Sequence, residues 1–372
     1  RHYAATLNLA LHHVDLCVMR HLLPMRTWLP RWQFKQGIVN ADIKANWVQQ
    51  HFDHVKYTGD IRHFSALLFK PSKIKPRVLI PIPIVVDRVS AKLMWEKTQT
   101  GWKFRASDLL VKKAGRVLPL HRLTYTESHD EGDNVWRKVS FNQFDLKDIA
   151  FVSIFTTRRA LDDFNFSRWK KTLGKLRNVS LESFSKNKWW DVKADFSSLY
   201  IPAYHNLPGA ANLSGRLSMN VNGGWINIES KNAELMLTGQ TKPLWFKRLS
   251  AEFFYHHRNH VESYSLQNIS LANNDLVLSG YVNDHQGSHQ SPLIDAKLHF
   301  DIKKLSNIGH YLPYSLMHER LHDWLAHAFV GGRLLNGVAQ LHGRLSDFPF
   351  ARRQGDFNVT GDFDRVRLHF SP

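Results

Sequence analysis

A chain of 372 residues that is 43% hydrophobic has the apolar mass for a large core, which excludes a disordered polymer. Its one cysteine, Cys17, excludes a disulfide framework and a cysteine-built zinc site within the chain. A formal net charge of +18 points to an anionic partner (nucleic acid, an anionic membrane surface or an acidic polymer) or to a solvated basic face. No apolar run is long enough to span a bilayer, since Leu79–Val86 is short and broken by prolines. The chain begins and ends inside strand-like patterns and shows no signal peptide at Arg1, so it is read as an excerpt of a longer protein.

In chain order, residues 3–16 read as a strand, followed by a short helical or irregular piece through Leu22, Leu23, Pro24, Trp28 and Leu29. Val39, Ala41, Ile43 and Ala45 alternate with polar neighbours, as in a strand with one dry face. Lys56–Phe69 reads as a strand pair broken at Gly59–Asp60, and Pro71–Pro83 as a loop, because proline removes ladder donors. Val89–Trp95 and Trp102–Ala106 predict a hairpin around Thr98–Gly101, continued by Asp108–Val117. Ser128–Asn134 reads as a polar loop. The period changes over Ile149–Leu176, where Leu161, Phe164, Trp169, Leu173 and Leu176 suit a helix.

Strand patterning returns at Val192–Phe196 and dominates from Asn212. Leu213, Gly215, Leu217, Met219 and Val221 share one parity, and Asn222–Gly223–Gly224 is read as the turn. The same alternation recurs at Ala233–Leu237, Leu249–Tyr255, Leu276–Val282 and Ala296–Ile302. Leu321, Trp324, Leu325 and Ala328 then mark one face of a helix, between Pro313 and Gly331–Gly332. Ala339–Leu345 and Phe357–Phe363 resume the sheet.

A strand–helix–strand unit repeats at Leu11–Ala41 and Leu298–Ala339, with a weaker copy at Ile149–Leu181. Segments 1–148, 149–295 and 296–372 follow from it. At about 12 residues per strand and turn, roughly 20 to 25 strands are expected. So many strands in one sheet must curl or split into packed sandwiches.

The sequence presents no constellation of catalytic groups. Gly209–Ala210–Ala211 lacks the helix and lysine of a phosphate loop. No Gly-x-Ser-x-Gly elbow or acid/base pair stands out. His256–His260 contains Arg258 and no acid, which suits a solvated loop better than a metal site. In Trp102–Lys103–Phe104–Arg105 the aromatic and basic residues fall on opposite parities, which argues against base stacking.

Tyr311–Leu312–Pro313, Leu321–Leu325, Gly331–Gly332 and above all Gly343–Phe350 resemble the YhdP branch of the AsmA-like proteins, as do Pro243–Ala251 and Leu276–Gly280. The resemblance implies a Gram-negative envelope protein, anchored in the inner membrane by a helix outside this chain, with a periplasmic body built as a repeating β-groove. It implies phospholipid as cargo, acyl chains in the groove, and the inner and outer membranes as partners. It implies no enzyme activity, cofactor or metal. The fold class expected is mainly β: an elongated, curled antiparallel sheet with a few short helices. Leu93, Phe104, Leu217, Met219, Leu235, Leu237, Phe253, Leu278, Leu298 and Leu341 are the expected lining, and Leu321, Trp324 and Leu325 a capping helix. Three other readings stay open: an envelope scaffold whose same residues pack a closed sandwich core, a binding module for an acidic polymer such as lipopolysaccharide, and a carbohydrate-active β enzyme.

Overall fold

The computed structural model describes all residues except 1–3, 19–31, 49–50, 72–78, 120–121, 133, 149–170, 186–188, 204–207, 238–241, 259–260, 287–290, 313–318, 349, 351–353 and 370–372. The fold is mainly β, an open, curled antiparallel sheet with few and short helical pieces. Eighteen strands lie among the described residues. They are fewer than the spacing suggests because they are long: several exceed fifteen residues, and one reaches 21. Two units form, Arg1–Asp148 with Arg177–Trp190, and Ile149–Leu176 with Asp191–Pro372.

The first unit is a meander of β1 (Ala4–Asp15), β2 (Trp32–Val48), β3 (His51–Pro71), β4 (Leu79–Lys97), β5 (Gly101–Lys113), β6 (Arg116–Pro119), β7 (Arg122–His129) and β8 (Val135–Asp145). Each strand pairs with the next, except that β5 pairs with both the short β6 and β7. β9 (Leu173–Phe184) is divided between the units. The second unit runs through β10 (Trp189–Ile201), β11 (Gly209–Asn220), β12 (Gly223–Met236), β13 (Leu244–Arg258), β14 (Val261–Ala272), β15 (Leu276–Gln286), β16 (Leu293–Ile302), β17 (Phe329–Arg344) and β18 (Gly355–Leu368). Between β16 and β17 stand a 3-10 segment, Leu305–Tyr311, and the helix α1 (Glu319–Ala328). The strand–helix–strand repeat is thus realised in its second copy. In the first, helical structure begins at Leu16–Val18, and Leu22–Leu29 lies outside the described residues.

Several expected boundaries move. β3 crosses Gly59–Asp60 without a break. Gly59 is needed there for closeness, since a Cβ would sit 2.3 Å from the Asn40 carbonyl oxygen and 2.7 Å from the Ala41 Cα. Leu79–Pro83, expected in a loop, belongs to β4, with Pro81 opposite Phe69 and Pro83 opposite Leu67. β5 pairs with β4 only from Arg88 onward, so this part of β4 is an edge. Pro81 and Pro83 share a parity, so both vacate that one edge. Asp108–Val117 bends at Ala114–Gly115 into β6. Leu173 and Leu176 are in β9, not a helix, while Leu161, Phe164 and Trp169 lie outside the described residues. The β11–β12 turn is Val221–Asn222, one residue earlier than expected, and Gly223 opposes Asn220 within the ladder. Leu345 is in a 3-10 turn after β17.

One device recurs. Ten strands each hold one non-glycine residue with φ between 49° and 57°: His13, His63, Asp108, Asn178, Ser198, Asn212, Asn232, Asn268, Asn336 and Arg365. Nine of the ladders shift register beside these residues, as at Leu11/Val14, Phe196/Leu199 and Leu266/Ile269. Each shift is a β-bulge, which bends its strand and raises local twist. The dry face changes parity there, from two residues before to one residue after: Phe196 then Leu199, Leu266 then Ile269, Ile61 then Phe64. Much of the buried core lies along these bends: Phe196, Leu199, Leu213, Ala233, Phe246, Leu249 and Ile269 in the second unit. In the first, Leu16, Phe34, Val39, Ala41 and Ala66 form the cluster, with Val14, Ile61 and Phe64 against it.

Candidate functional site

The site is a face, and the register defines it. Side chains opposite one another on neighbouring antiparallel strands share a face. In the second unit one such row reads Ala194, Leu217, Ile226, Phe253, Leu266, Val282, Ala296, Leu341 and Phe357, one residue from each of nine strands and all apolar. Gly280, Leu298, Ala339 and Val359 continue a second row. Leu249, Leu271, Leu278, Phe300 and Gly337 form a third. In the first unit Leu9, Ile43, Tyr57, Leu93, Ala106, Leu123 and Phe141 make one row, and Leu7, Ala45, Val55, Trp95, Phe104, Tyr125 and Val139 the next. Glycines sit where large side chains cross: the Phe196 ring lies over Gly215 and the Phe300 ring over Gly337.

All ten residues singled out from the sequence are described. Leu93 and Phe104 are brought together in adjacent rows of the first unit. Leu217, Phe253 and Leu341 share one row of the second, with Met219, Leu298 and Leu278 in rows of the same face. Leu235 opposes Ala210 and Leu244 beyond the bulge at Asn232, and Leu237 lies just past the end of β12. All ten are partly exposed and none is buried. A second sheet packed on this face would remove its central side chains from water, as in a sandwich core. In α1, Ala328 is the fully buried residue, Leu325 is half-buried and Trp324 is 40% exposed, while the Leu321 side chain lies outside the described residues. The helix packs on the 3-10 segment and on β17. That segment is tied to the β14–β15 turn through Tyr311 to Asn273 at 3.1 Å and Asn307 to Asp275 at 2.6 Å.

Toward hairpin ends the same face turns polar. In the second unit Tyr264 donates to Glu262 at 2.6 Å and Tyr255 donates to the other oxygen at 3.4 Å, with His257 at 3.7 Å. The Tyr255 and Tyr264 rings stack, centroids 5.2 Å apart. Burial, then the Glu262 carboxylate, raises both phenols above their ordinary range. In the first unit Tyr125 donates to Glu127 at 2.6 Å, Arg137 donates to the same carboxylate oxygen at 2.9 Å, and Trp102 stacks on Tyr125. Burial and the neighbouring carboxylate push Tyr125 up to about 12. Burial alone would raise Glu127, but hydrogen bonds from Tyr125 and Arg137 outweigh it and hold the carboxyl below its ordinary value. These Tyr–Glu pairs were not found from sequence; Tyr125-x-Glu127 and Glu262-x-Tyr264, each spaced by two on a dry parity, were the available signal. The outward face is charged: Arg105 and Lys103 both reach Glu96, away from the aromatic row, and Arg216 faces Asp195.

A profile of the YhdP protein family matches residues 69–372, most of the chain. The chain belongs to the YhdP family. A relative from Escherichia coli (strain K12), described as an intermembrane phospholipid transporter, is 23% identical over 303 residues. The match takes in 77% of this chain and 23% of that relative, so the chain spans about a quarter of its length. No solved structure matches. Among the described residues no helix is long and apolar enough to cross a membrane, which says nothing of strands.

Proposed function

We propose that this chain is a section of a periplasmic lipid conduit, belonging to a longer protein anchored in the inner membrane, along which phospholipid passes between inner and outer membranes. The acyl chains lie on the apolar rows and the headgroups stay wet. Transfer makes and breaks no bond, so the chain acts without catalytic groups. The observation that carries this reading is the continuity of the rows: Ala194 to Phe357 runs unbroken through nine strands, with its singled-out members still partly open to water. An apolar strip of that extent, left uncovered, is costly in water unless a ligand lies on it. The named activity of the Escherichia coli relative supports phospholipid as that ligand. Trp324 and Leu325 on α1 are proposed to close the strip where the 3-10 segment meets β17.

The test uses the two faces of one strand. A photo-crosslinking residue replaces Leu217 in one variant and its outward neighbour Arg216 in another, in cells with labelled phospholipid. Crosslinks at position 217 and none at 216 are expected. Silence at 217, and likewise at 235 and 278, would put a closed structural core in place of the conduit.

A further inference from the structure

The outer face of the first unit carries a feature that the apolar rows do not use. At the far ends of β3 and β4 the alternation fails, and both faces are apolar. The inward residues Ala66, Leu68, Ile84 and Val86 are buried. On the outward parity Val85 opposes Ser65, Pro83 opposes Leu67 and Pro81 opposes Phe69, with Leu79 beyond. Leu79 is 51% exposed and Val85 55%, and Pro81 and Pro83 are exposed too. An outward apolar surface of this kind is unfavourable in water.

The same outward face turns cationic at the next row. Arg62 opposes Arg88, and Arg88 opposes Lys112, three cations in direct register across β3, β4 and β5. Like charges directly opposite one another destabilise a sheet. The carboxylate among them is Asp60, 2.8 Å from Arg62 and 3.7 Å from Arg88. Asp87 is nearby and accepts from the backbone N–H of Gly115. The row therefore keeps a positive excess beside the apolar tip.

We propose that the outer face of the β3–β4 hairpin is a peripheral membrane contact. Leu79, Val85 and the exposed prolines enter the boundary between headgroups and acyl chains of an anionic bilayer, and Arg62, Arg88 and Lys112 engage the lipid phosphates. Charge complementarity selects the occupant: an apolar tip backed by cations is the arrangement that binds a membrane interface. A single-stranded nucleic acid fits poorly, because Trp95, Phe104 and Tyr125 are on the opposite face and give the cations no stacking partner. The contact does not depend on what the inner rows hold.

The experiment is flotation of the 372-residue chain with vesicles of phosphatidylcholine alone, or mixed with phosphatidylglycerol. Binding to the mixed vesicles is expected, falling as salt rises. The variant Arg62→Gln/Arg88→Gln/Lys112→Gln should lose about a hundredfold in partitioning, since each cation near such a surface contributes about a factor of five. An environment-sensitive dye on Val85→Cys, in a Cys17→Ser background, should shift to shorter emission wavelength on mixed vesicles. Undiminished binding by the triple variant, or a silent dye on a floated protein, overturns the proposal. So does binding to soluble polyphosphate with no flotation, which would assign the cations to a polyanion in solution.

Discussion

The Glu127 cluster shows how single residues end the apolar rows. Tyr125 contributes its ring to the row and its hydroxyl to Glu127, which Arg137 also holds. The signs of its pH dependence follow from the two shifts. Glu127 titrates below its ordinary value, so its contribution is complete above the unfolded pKa of about 4.3 and is lost as pH falls through the lower folded value. Tyr125 titrates at about 12, so its contribution is complete below about 10 and is lost as pH rises through about 12. Glu127→Gln removes the hydrogen-bonded anion. The phenolate absorbance of Tyr125, isolated by difference against Tyr125→Phe, should then appear at lower pH than in the parent. An unchanged titration would mean that burial alone sets the shift. Gly59 is the second telling residue. Gly59→Ala puts a methyl into the Asn40 carbonyl, where backbone must move, and should cost on the order of 1–3 kcal/mol in urea unfolding.

At the scale of elements, the bulges decide which side chains face inward. Asn, His, Ser and Asp hold most of the positive-φ positions because their short polar side chains tolerate that conformation better than apolar ones do. Ser198 gives a clean test because it is exposed. Ser198→Gly should stabilise by up to about 1 kcal/mol, and Ser198→Val should destabilise by about 1–2 kcal/mol, in thermal or urea unfolding. Equal effects of the two would show that the φ value is not what the position selects. This motif also explains what the sequence hid. The β4–β5 hairpin was legible because Leu93 and Trp95 meet Ala106 and Phe104 across a short turn with no bulge between them. The Leu217–Ile226 pairing across Val221–Asn222 likewise has no bulge between its members, whereas Asn232, Asn268 and Asn336 interrupt the chain between later members of that row. Strict alternation could not reveal that the dry parity flips at Asn212 or Asn268, since a bulge leaves period two intact on either side. Gly59 and Pro81 misled because both residues have a turn meaning and an edge or close-approach meaning, and only pairing partners choose between them. Leu173 and Leu176 fit a helical spacing of three, but in β9 that spacing puts them on opposite parities, with Leu173 exposed and Leu176 half-buried, and it is Leu176 and the buried Val179 that flank Asn178.

At the scale of the molecule, the chain carries a formal net charge of +18, and basic residues such as Lys103, Arg105 and Arg216 take the strand parity opposite to the apolar rows. The cost of that charge is self-repulsion, which salt relieves. Residues 69–372 hold the family relationship, and the apolar rows run on both sides of its first residue, through β1 and β2 as through β17 and β18. The rows are therefore a property of the architecture throughout the described chain.

Within each unit, hydrogen-bonded neighbours in space are close neighbours in sequence. Contact order is accordingly low for a β protein, and stability resembles a sum over adjacent pairs, as in a one-dimensional chain of coupled units. Amide exchange should proceed through separate local openings rather than one global step, and urea unfolding should be broad, with a slope too small for 372 residues. Cutting the chain at a hairpin turn such as Val221–Asn222 removes one neighbour from each flanking strand and leaves the other ladders whole. Length in this architecture can change by whole hairpins without a new core having to be invented.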